Sequence, residues 1–318
     1  MFLTRNKILV IAGPTASGKT RLGIELARQL DGEIVSADSM QVYRGMDIGT
    51  AKADAEERAA AVHHMLDVAE PAESYSVARY VEDAGRCVDD ILARGKLPIV
   101  VGGTGLYIDS LIAGRDFAEN TGDGALRAAL SARYDAIGGE AMLQELSAFD
   151  PERARKLHSG DKRRIVRAVE IYRLTGKTAT AHDAETRARP PRYQAARIVL
   201  NYADRAALYR RIDRRVEEMA ARGLFQEVSG LLDAGLSPDC TAMQAIGYKE
   251  AVQCLKGELT ENEAVALIQQ NSRRYAKRQL TWFGRWEDAH RIVWEAQPDF
   301  EAARQSSTRF LISRGYHG

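Results

Sequence analysis

The sequence is poor in the features that mark secreted and membrane-spanning proteins. It contains three cysteines, Cys87, Cys240 and Cys254, which lie far apart and form no Cys-x-x-Cys pair. This spacing argues against a disulfide framework and against a cysteine zinc site. The adjacent His63 and His64 would point in different directions on a helix and lack a third ligand, so zinc is not expected there either. No apolar run reaches the length of a transmembrane helix, and the first residues lack the long apolar stretch of a secretory signal. We therefore expect a cytoplasmic protein that does not contact membranes.

Charge is nearly balanced over the whole chain but not along it. The net charge is +1, yet residues 1–150 hold 15 basic and 23 acidic side chains, whereas residues 151–318 hold 30 and 21. A basic C-terminal half can bind an extended anion, nucleic acid being one candidate. Solvated, arginine-rich helices would explain the same distribution.

Short apolar segments alternate with helical patterns along the chain. The segments KILVIAG, GEIVSADS and KLPIVVGGTGLYI have contiguous, β-branched apolar residues, as in strands that are buried on both faces. ARIVLNYA and HRIVWEA add two later strands, the last of them at an edge. Strands that alternate with helices predict a parallel, doubly wound sheet.

A glycine-rich segment between the first strand and the following helix fits the phosphate-binding pattern G-x-x-x-x-G-K-[ST]. It comprises Gly13, Pro14, Thr15, Ala16, Ser17, Gly18, Lys19 and Thr20. The glycines let backbone N–H groups converge on phosphate oxygens at a helix N-terminus, Lys19 adds a positive charge, and the Thr20 hydroxyl can ligate Mg²⁺. The motif does not say whether the phosphates belong to a nucleotide or to another diphosphate.

A change of composition divides the chain. Residues 116–196 are rich in Ala, Arg and Glu, have a helical pattern, and end in the proline-containing segment ARPPRY. We therefore expect an α/β fold, with a P-loop NTPase-like core whose parallel sheet is flanked by helices, plus a helical insertion domain. The core would consist of residues 1–115 and 197–318, and the insertion of residues 116–196.

Two further polar residues follow strands at the edge where the motif opens. Asp38 comes directly after the second strand, and Thr104 lies in the Gly-Gly-Thr-Gly turn after the third. Because the carboxyl ends of parallel strands meet at one edge, both residues are expected near the bound phosphates. Asp38 could accept a proton from a nucleophile or bind a substrate hydroxyl. The alternatives are a cap or turn role for Asp38 and a packing role for the glycine turn.

The pattern of a hydrolytic NTPase is incomplete. No clear apolar strand ends in the Asp or Asp-Glu pair with which motor and signalling NTPases hold magnesium and position water. A kinase of a small metabolite remains compatible with the motif and with Asp38. A non-catalytic RNA-binding module with an NTPase-like core is the second alternative, since it would explain the basic half.

Basic side chains of the second half cluster in the segments 163–167, 205–215 and 273–278. The last segment interleaves them with aromatic residues, a combination that suits a nucleic-acid backbone and unstacked bases. Aromatic residues at helical spacing are more often buried in a core, and we interpret Trp282 and Phe283 in that way first.

Taken together, the motifs resemble those of the tRNA dimethylallyltransferases, also called tRNA isopentenyltransferases or IPP transferases. The similarity runs over nearly the whole chain as an ordered series: GPTASGKT, SADSMQVYRGMDIGTAK, HHMLDV, YSVARY, VGGTGLYI, DPERARKLH, RRIVRAVEIY, AIGYKE and YAKRQLTWF. The resemblance implies that the glycine-rich segment, residues 13–20, forms a phosphate cradle that holds the diphosphate of dimethylallyl diphosphate. The prenyl group would move to N6 of the adenosine 3′-adjacent to the tRNA anticodon, with release of diphosphate.

The resemblance also implies roles for individual residues. Asp38 would be the general base on N6, while Lys19, Thr104, Arg215 and Mg²⁺ on Thr20 would stabilise charge on the leaving diphosphate. Contacts with the tRNA anticodon stem-loop would come from Asp38, Ser39, Met40, Gln41, Arg127, Arg163, Arg164, Ile165, Val166, Arg167, Gln244, Ala245, Ile246, Gly247, Tyr248 and Lys249. The family implies a monomer, because its tRNA channel forms within one chain.

Overall fold

The computed structural model describes residues 6–115, 124–295 and 297–316, which form two compact units. The first unit extends to Ile112 and resumes at Arg192, and the second comprises Ala113–Pro191. None of the helices in these described ranges is both long enough and apolar enough to cross a membrane.

The first unit is built on a six-stranded sheet. Its strands are β1 (Lys7–Ala12), β2 (Gly32–Ala37), β3 (His63–His64), β4 (Leu97–Gly102), β5 (Gln194–Tyr202) and β6 (His290–Trp294), in the spatial order β3-β2-β4-β1-β5-β6. Every neighbouring pair is parallel. Strands β1, β2 and β4 are each buried except at their first residue, as their contiguous apolar sequences predict. The expected α/β fold class with a parallel sheet is therefore confirmed.

Helices connect and cover these strands. In chain order they are α1 (Lys19–Gln29), α2 (Ala55–Ala60), α3 (Val77–Ala93), α4 (Gly105–Ala113), α5 (Gly124–Ile137), α6 (Gly139–Phe149), α7 (Pro151–Ala154), α8 (Lys162–Thr175), α9 (Ala179–Ala188), α10 (Arg205–Ala221), α11 (Leu224–Asp233), α12 (Tyr248–Leu255), α13 (Glu261–Phe283) and α14 (Phe300–Ser313). In the first unit Leu22, Leu208 and Leu311, from three different helices, join Leu9 and Ile198 of the sheet in one apolar core. Each such buried side chain contributes about 1.5–3 kcal/mol to folding.

Five helices of the first unit, α2, α3, α10, α13 and α14, begin at side-chain caps. Asp204 caps the start of α10, and Thr260 and Glu263 form a capping box at the start of α13. A cap satisfies N–H groups that have no partner within the helix, and so it fixes the residue at which the helix begins. The positions of Arg215 on α10 and Gln279 on α13 follow from these starting points.

The second unit is helical and contains α5 to α9, with a core of its own. Met142, Leu146, Ile165 and Val169 are fully buried there. Helix α8 supplies two of these residues, because its apolar side chains recur at helical spacing.

The histidine pair lies in strand β3 and not on a helix, so the helical interpretation of His63 and His64 was wrong. The pair adds to the sheet edge beside β2, where Ile34 is in register with His63. The ring of His64 hydrogen-bonds the buried Glu33 carboxylate at 2.8 Å. The pKa of Glu33 is lowered to about 2, chiefly by a bidentate hydrogen bond from Arg94 and to a smaller extent by the hydrogen bond from His64. The pair therefore takes part in a structural ion-pair cluster.

Candidate active site

The P-loop, residues 13–20, leaves β1 and enters α1 at Lys19. Gly13 has φ +151°, and a β-carbon there would lie 2.6 Å from the carbonyl oxygen of Leu200 on the neighbouring strand β5. Gly18 has φ +89° and lies against the Phe300 ring. Both positions require glycine, because a side chain would be strained and would also collide with its neighbours.

Two cations stand beside the P-loop. Lys19 donates a hydrogen bond from Nζ to the Pro14 carbonyl oxygen at 2.8 Å. Burial, and then the positive charge of Arg215, lower the pKa of Lys19 to about 7, against an opposing effect of Asp38. Burial also lowers the pKa of Arg215, again with Asp38 acting in the opposite direction. Neither cation forms an ion pair with the described part of the chain, so a bound polyanion would compensate both charges.

Asp38 occupies the first position after β2, as the sequence predicted. Its Oδ1 atom accepts the backbone N–H of Met40 at 2.9 Å and that of Gln41 at 3.4 Å. The turn role that was one alternative is therefore real, but it engages only one carboxylate oxygen. Thr104 holds the same loop: its hydroxyl oxygen accepts the Ser39 N–H at 3.1 Å. The carboxylate is thus fixed in orientation at the carboxyl edge of the sheet.

Lys19, Asp38 and Arg215 line one pocket of about 340 Å³. The sequence-predicted residues that line it are Thr15, Lys19, Thr20, Asp38, Ser39, Met40, Gln41, Arg215, Gln244, Ala245, Ile246, Gly247 and Tyr248. The remaining P-loop residues, Gly13, Pro14, Ala16, Ser17 and Gly18, complete the loop beside it, and Thr104 follows the lining residue Gly103. Lys249 is in the first turn of α12, one residue beyond Tyr248.

The pocket also has an apolar wall. Leu66, Ile212, Val216, Met219 and Ile268 contribute to its lining. A site that combines an anion cradle with an apolar wall suits an amphipathic ligand, one end of which is charged and the other hydrocarbon.

The other predicted tRNA contacts belong to the second unit. Arg163 and Arg164 are exposed on α8, whereas Ile165 and Val166 are buried in the core of the unit. The expected contact of Ile165 and Val166 with tRNA stays a prediction, and their side chains pack inside the second unit. Their apolar character, which follows the spacing of the helix core, is the physical reason.

Arg127 and Arg167 share a partner inside the second unit. Both donate hydrogen bonds to the carboxylate of Glu170, which is fully buried, at distances of 2.6–3.1 Å. A buried carboxylate needs such partners. The two arginines therefore have a structural role in addition to any contact with tRNA.

The predicted site residues included none of the five α13 residues that line the pocket, namely Ile268, Ser272, Tyr275, Arg278 and Gln279. Tyr275 and the buried Gln279 line the pocket between the P-loop and the turn after β4. The only available signal was a polar Gln279 among the inward-facing residues Ala276 and Phe283 of the helix.

A family model described as IPP transferase matches residues 41–286, and one described as isopentenyl transferase matches residues 6–67. The chain belongs to the IPP transferase family. A tRNA dimethylallyltransferase of Thermoanaerobacter sp. (strain X514) is 43% identical over 309 residues, which cover 97% of this chain and 98% of the relative. The similarity to the family therefore covers almost the whole chain.

Solved structures agree with this assignment. The full-length tRNA isopentenylpyrophosphate transferase of Bacillus halodurans superposes with a TM-score of 0.72 at 39% identity and covers 98% of both chains. A eukaryotic dimethylallyltransferase acting on tRNA gives a TM-score of 0.81 at 28% identity, with 98% of this chain and 79% of that one covered. The chain is accordingly a prenyltransferase that modifies tRNA, which decides against the kinase and the non-catalytic module.

Proposed function

We propose that the pocket beside the P-loop carries out the reaction of the family. In that reaction a dimethylallyl group passes from dimethylallyl diphosphate to N6 of the adenosine 3′-adjacent to the anticodon in tRNA, and diphosphate is released. One observation carries the proposal: an anion cradle, two cations without ion-pair partners among the described residues, and a carboxylate line the same pocket.

The P-loop side of the pocket would hold the diphosphate. As the bond between C1 of the prenyl group and the diphosphate oxygen breaks, its electron pair moves onto the leaving oxygen. Lys19, Arg215 and the N–H groups at the start of α1 would stabilise that charge, and fixed groups of this kind need no reorganisation during the reaction. The buried hydroxyl of Ser17, which has no hydrogen-bond partner among the described residues, would suit a phosphate oxygen.

Asp38 would act on the acceptor. The lone pair of N6 forms the new bond to C1, and N6 transfers its proton to the Asp38 carboxylate. The hydrogen bonds from Met40 and Gln41 both end on Oδ1, which supports Oδ2 as the oxygen that takes the proton. Thr104 would position this loop through its bond to Ser39. The target base must leave the anticodon-loop stack to reach the pocket.

Magnesium fits the donor set when most of its ligands come from the diphosphate and water. The Thr20 hydroxyl and the Asp38 carboxylate reach the pocket, but no group of three or more acidic, His or Cys side chains forms a metal site within the described ranges. Mg²⁺ in nucleotide and diphosphate sites usually keeps several waters and takes few protein ligands. We assign Thr20 as its protein ligand; the bound ion would neutralise charge on the diphosphate.

The basic residues would bind the anticodon stem-loop. In this proposal Arg163, Arg164 and the segment 244–249 contact the nucleic acid along with residues 38–41. The proposal includes a monomer, as the resemblance to the family implies. It also includes a cytoplasmic location, where tRNA is found.

The Asp38→Asn variant tests the assignment of the base. Asparagine keeps an Oδ1 acceptor for the Met40 and Gln41 N–H groups, so the turn persists while the base is lost. We expect prenyl transfer to fall by about 10²–10⁴-fold, the usual contribution of a general base, with tRNA binding unchanged. Transfer at the wild-type rate would mean that Asp38 only stabilises the turn.

A further inference from the structure

Gln279 of α13 joins two loops that are far apart in sequence. Its Oε1 atom accepts the backbone N–H of Thr15, in the P-loop, at 2.8 Å. Its Nε2 atom donates to the carbonyl oxygen of Gly103, in the turn after β4, at 3.0 Å. The side chain is 5% exposed, so both ends of the amide are satisfied inside the protein. The two partners fix the orientation of the amide, because an N–H can only donate and a carbonyl can only accept.

The turn after β4 is shaped to admit this side chain. A β-carbon on Gly103 would lie 2.1 Å from Nε2 of Gln279, a distance at which no side chain could be accommodated. Glycine at this position therefore has a specific reason, which is the close approach of the Gln279 amide. Without the amide, the Thr15 N–H and the Gly103 carbonyl would each lose their side-chain partner, and an unsatisfied buried group is costly.

The bridge continues to the loop that carries Asp38. Thr104 directly follows Gly103, and its hydroxyl accepts the Ser39 N–H at 3.1 Å. The Thr104 N–H in turn donates to the Ala37 carbonyl at the end of β2 at 3.1 Å. A connected path therefore runs from the diphosphate cradle through Gln279 to the residues on both sides of Asp38.

Tyr275 packs at the middle of this path, one helical turn before Gln279. Burial raises the pKa of its hydroxyl to about 12, against opposing hydrogen-bond contributions from Thr104 and Gln279. The phenol is therefore neutral at physiological pH, and its ring closes the pocket wall beside the bridge.

We propose that Gln279 is a positioning residue that sets the spacing between the diphosphate cradle and the Asp38 loop. The inference rests on the proposed function. During transfer C1 exchanges its bond to the diphosphate oxygen for a bond to N6, while the N6 proton goes to Asp38. The leaving oxygen and N6 must then lie on opposite sides of C1 at a fixed separation, and small displacements are expensive. A residue that hydrogen-bonds both loops holds this separation.

The Gln279→Met variant removes both hydrogen bonds while it keeps a side chain of similar length. We expect kcat to fall by about 10²-fold, the effect of a displacement of roughly 1 Å, with KM for dimethylallyl diphosphate and for tRNA nearly unchanged. Gln269→Met is the matched control on the same helix. Gln269 is half-buried and hydrogen-bonds Asp213 and Glu217, outside the pocket, so kcat should remain at the wild-type value. A wild-type kcat in Gln279→Met, or a loss confined to KM, would overturn the inference.

A second variant serves if Gln279→Met does not fold. Gln279→Glu keeps an acceptor for the Thr15 N–H but can donate to the Gly103 carbonyl only when the carboxyl group is protonated. The ratio of its kcat to that of the wild type should therefore rise as the pH falls, which a purely structural role would not produce. A ratio that is independent of pH would contradict the inference. A wild-type enzyme that transfers no prenyl group would instead refute the proposed function itself.

Discussion

At the scale of single residues, the site depends on charges that the described residues leave uncompensated. Lys19 has a pKa lowered to about 7, chiefly by burial and then by Arg215. Above pH 7 the amine is therefore mostly neutral in the empty pocket, and below pH 7 it is mostly charged. A bound diphosphate favours the charged form and raises the pKa. Binding at pH 8 should consequently take up a proton that binding at pH 6 does not.

This coupling predicts a difference between the wild type and Lys19→Arg. Arginine stays protonated throughout this range, so that variant has no proton to take up at this position. Calorimetry of inorganic diphosphate binding, in buffers of different ionisation enthalpy, measures the number of protons taken up at each pH. The protons bound by diphosphate itself are then subtracted. We expect the wild type to take up more protons than Lys19→Arg at pH 8, and the difference between the two proteins to be smaller at pH 6. Equal uptake by both proteins at pH 8 would show that Lys19 is charged in the empty site.

How far single residues could be predicted from sequence depended on how local their interactions are. The P-loop and Asp38 were predictable, because each is defined by its position directly after a strand. Gln279 was not, because its two partners lie 264 and 176 residues away along the chain. Phe283 is buried as interpreted, whereas Trp282 is half-buried and donates a hydrogen bond to Asp109.

At the level of elements, the segment between β2 and α2 is held by helix α11, whose Glu227 lies 180 residues after Asp47 in the chain. The backbone N–H groups of Asp47, Ile48 and Gly49 donate to the carboxylate of Glu227 on α11, at 2.9, 2.8 and 3.2 Å. The Tyr248 hydroxyl donates to the same carboxylate. The residues that follow, 50 and 51, line the pocket. One side chain thus stabilises a loop that has little regular structure of its own.

Removal of this carboxylate should destabilise the first unit. We expect Glu227→Ala to lower the free energy of unfolding by about 2–3 kcal/mol, since hydrogen bonds to a charged group disappear and N–H groups are left unsatisfied. Urea unfolding measures the change. Glu218→Ala is the control: its ion pair with Arg214 is exposed and should contribute less than about 1 kcal/mol. Equal effects of the two substitutions would contradict the stabilising role of Glu227.

Elements differed in how well the sequence predicted them. The contiguous apolar strands β1, β2 and β4 could be recognised because each is buried along nearly its whole length. The two-residue strand β3 could not, because its place in the sheet depends on pairing with β2 and not on its own composition. Local pattern fixes long buried elements, whereas short edge elements are decided by their neighbours.

At the scale of the whole molecule, the uneven distribution of charge fits a polyanionic substrate. The chain carries 30 basic and 21 acidic residues after position 150, and the opposite balance before it. A nucleic acid bound by such a surface releases counterions, so its affinity falls as the salt concentration rises. The exposed Arg163 and Arg164 form no ion pair with the described residues and are candidates for phosphate contacts.

The salt dependence of tRNA binding tests these two arginines. The slope of log K against log salt is negative, and in the double variant Arg163→Ala, Arg164→Ala its magnitude should fall by about 0.7–0.9 for each phosphate that the protein no longer neutralises. Arg28→Ala, an exposed arginine of the acidic half, should leave the slope unchanged. A double variant with the wild-type slope would place the phosphate-binding side chains elsewhere.

We propose that the P-loop holds a prenyl diphosphate and that the prenyl group, not a phosphate, is transferred. The most direct measurement follows label on the prenyl carbon of dimethylallyl diphosphate into unmodified tRNA, with Mg²⁺ present and ATP absent. We predict label on the adenosine 3′-adjacent to the anticodon and the release of one diphosphate for each label transferred. Measurable tRNA binding without any label in the tRNA, together with consumption of added ATP, would contradict the account.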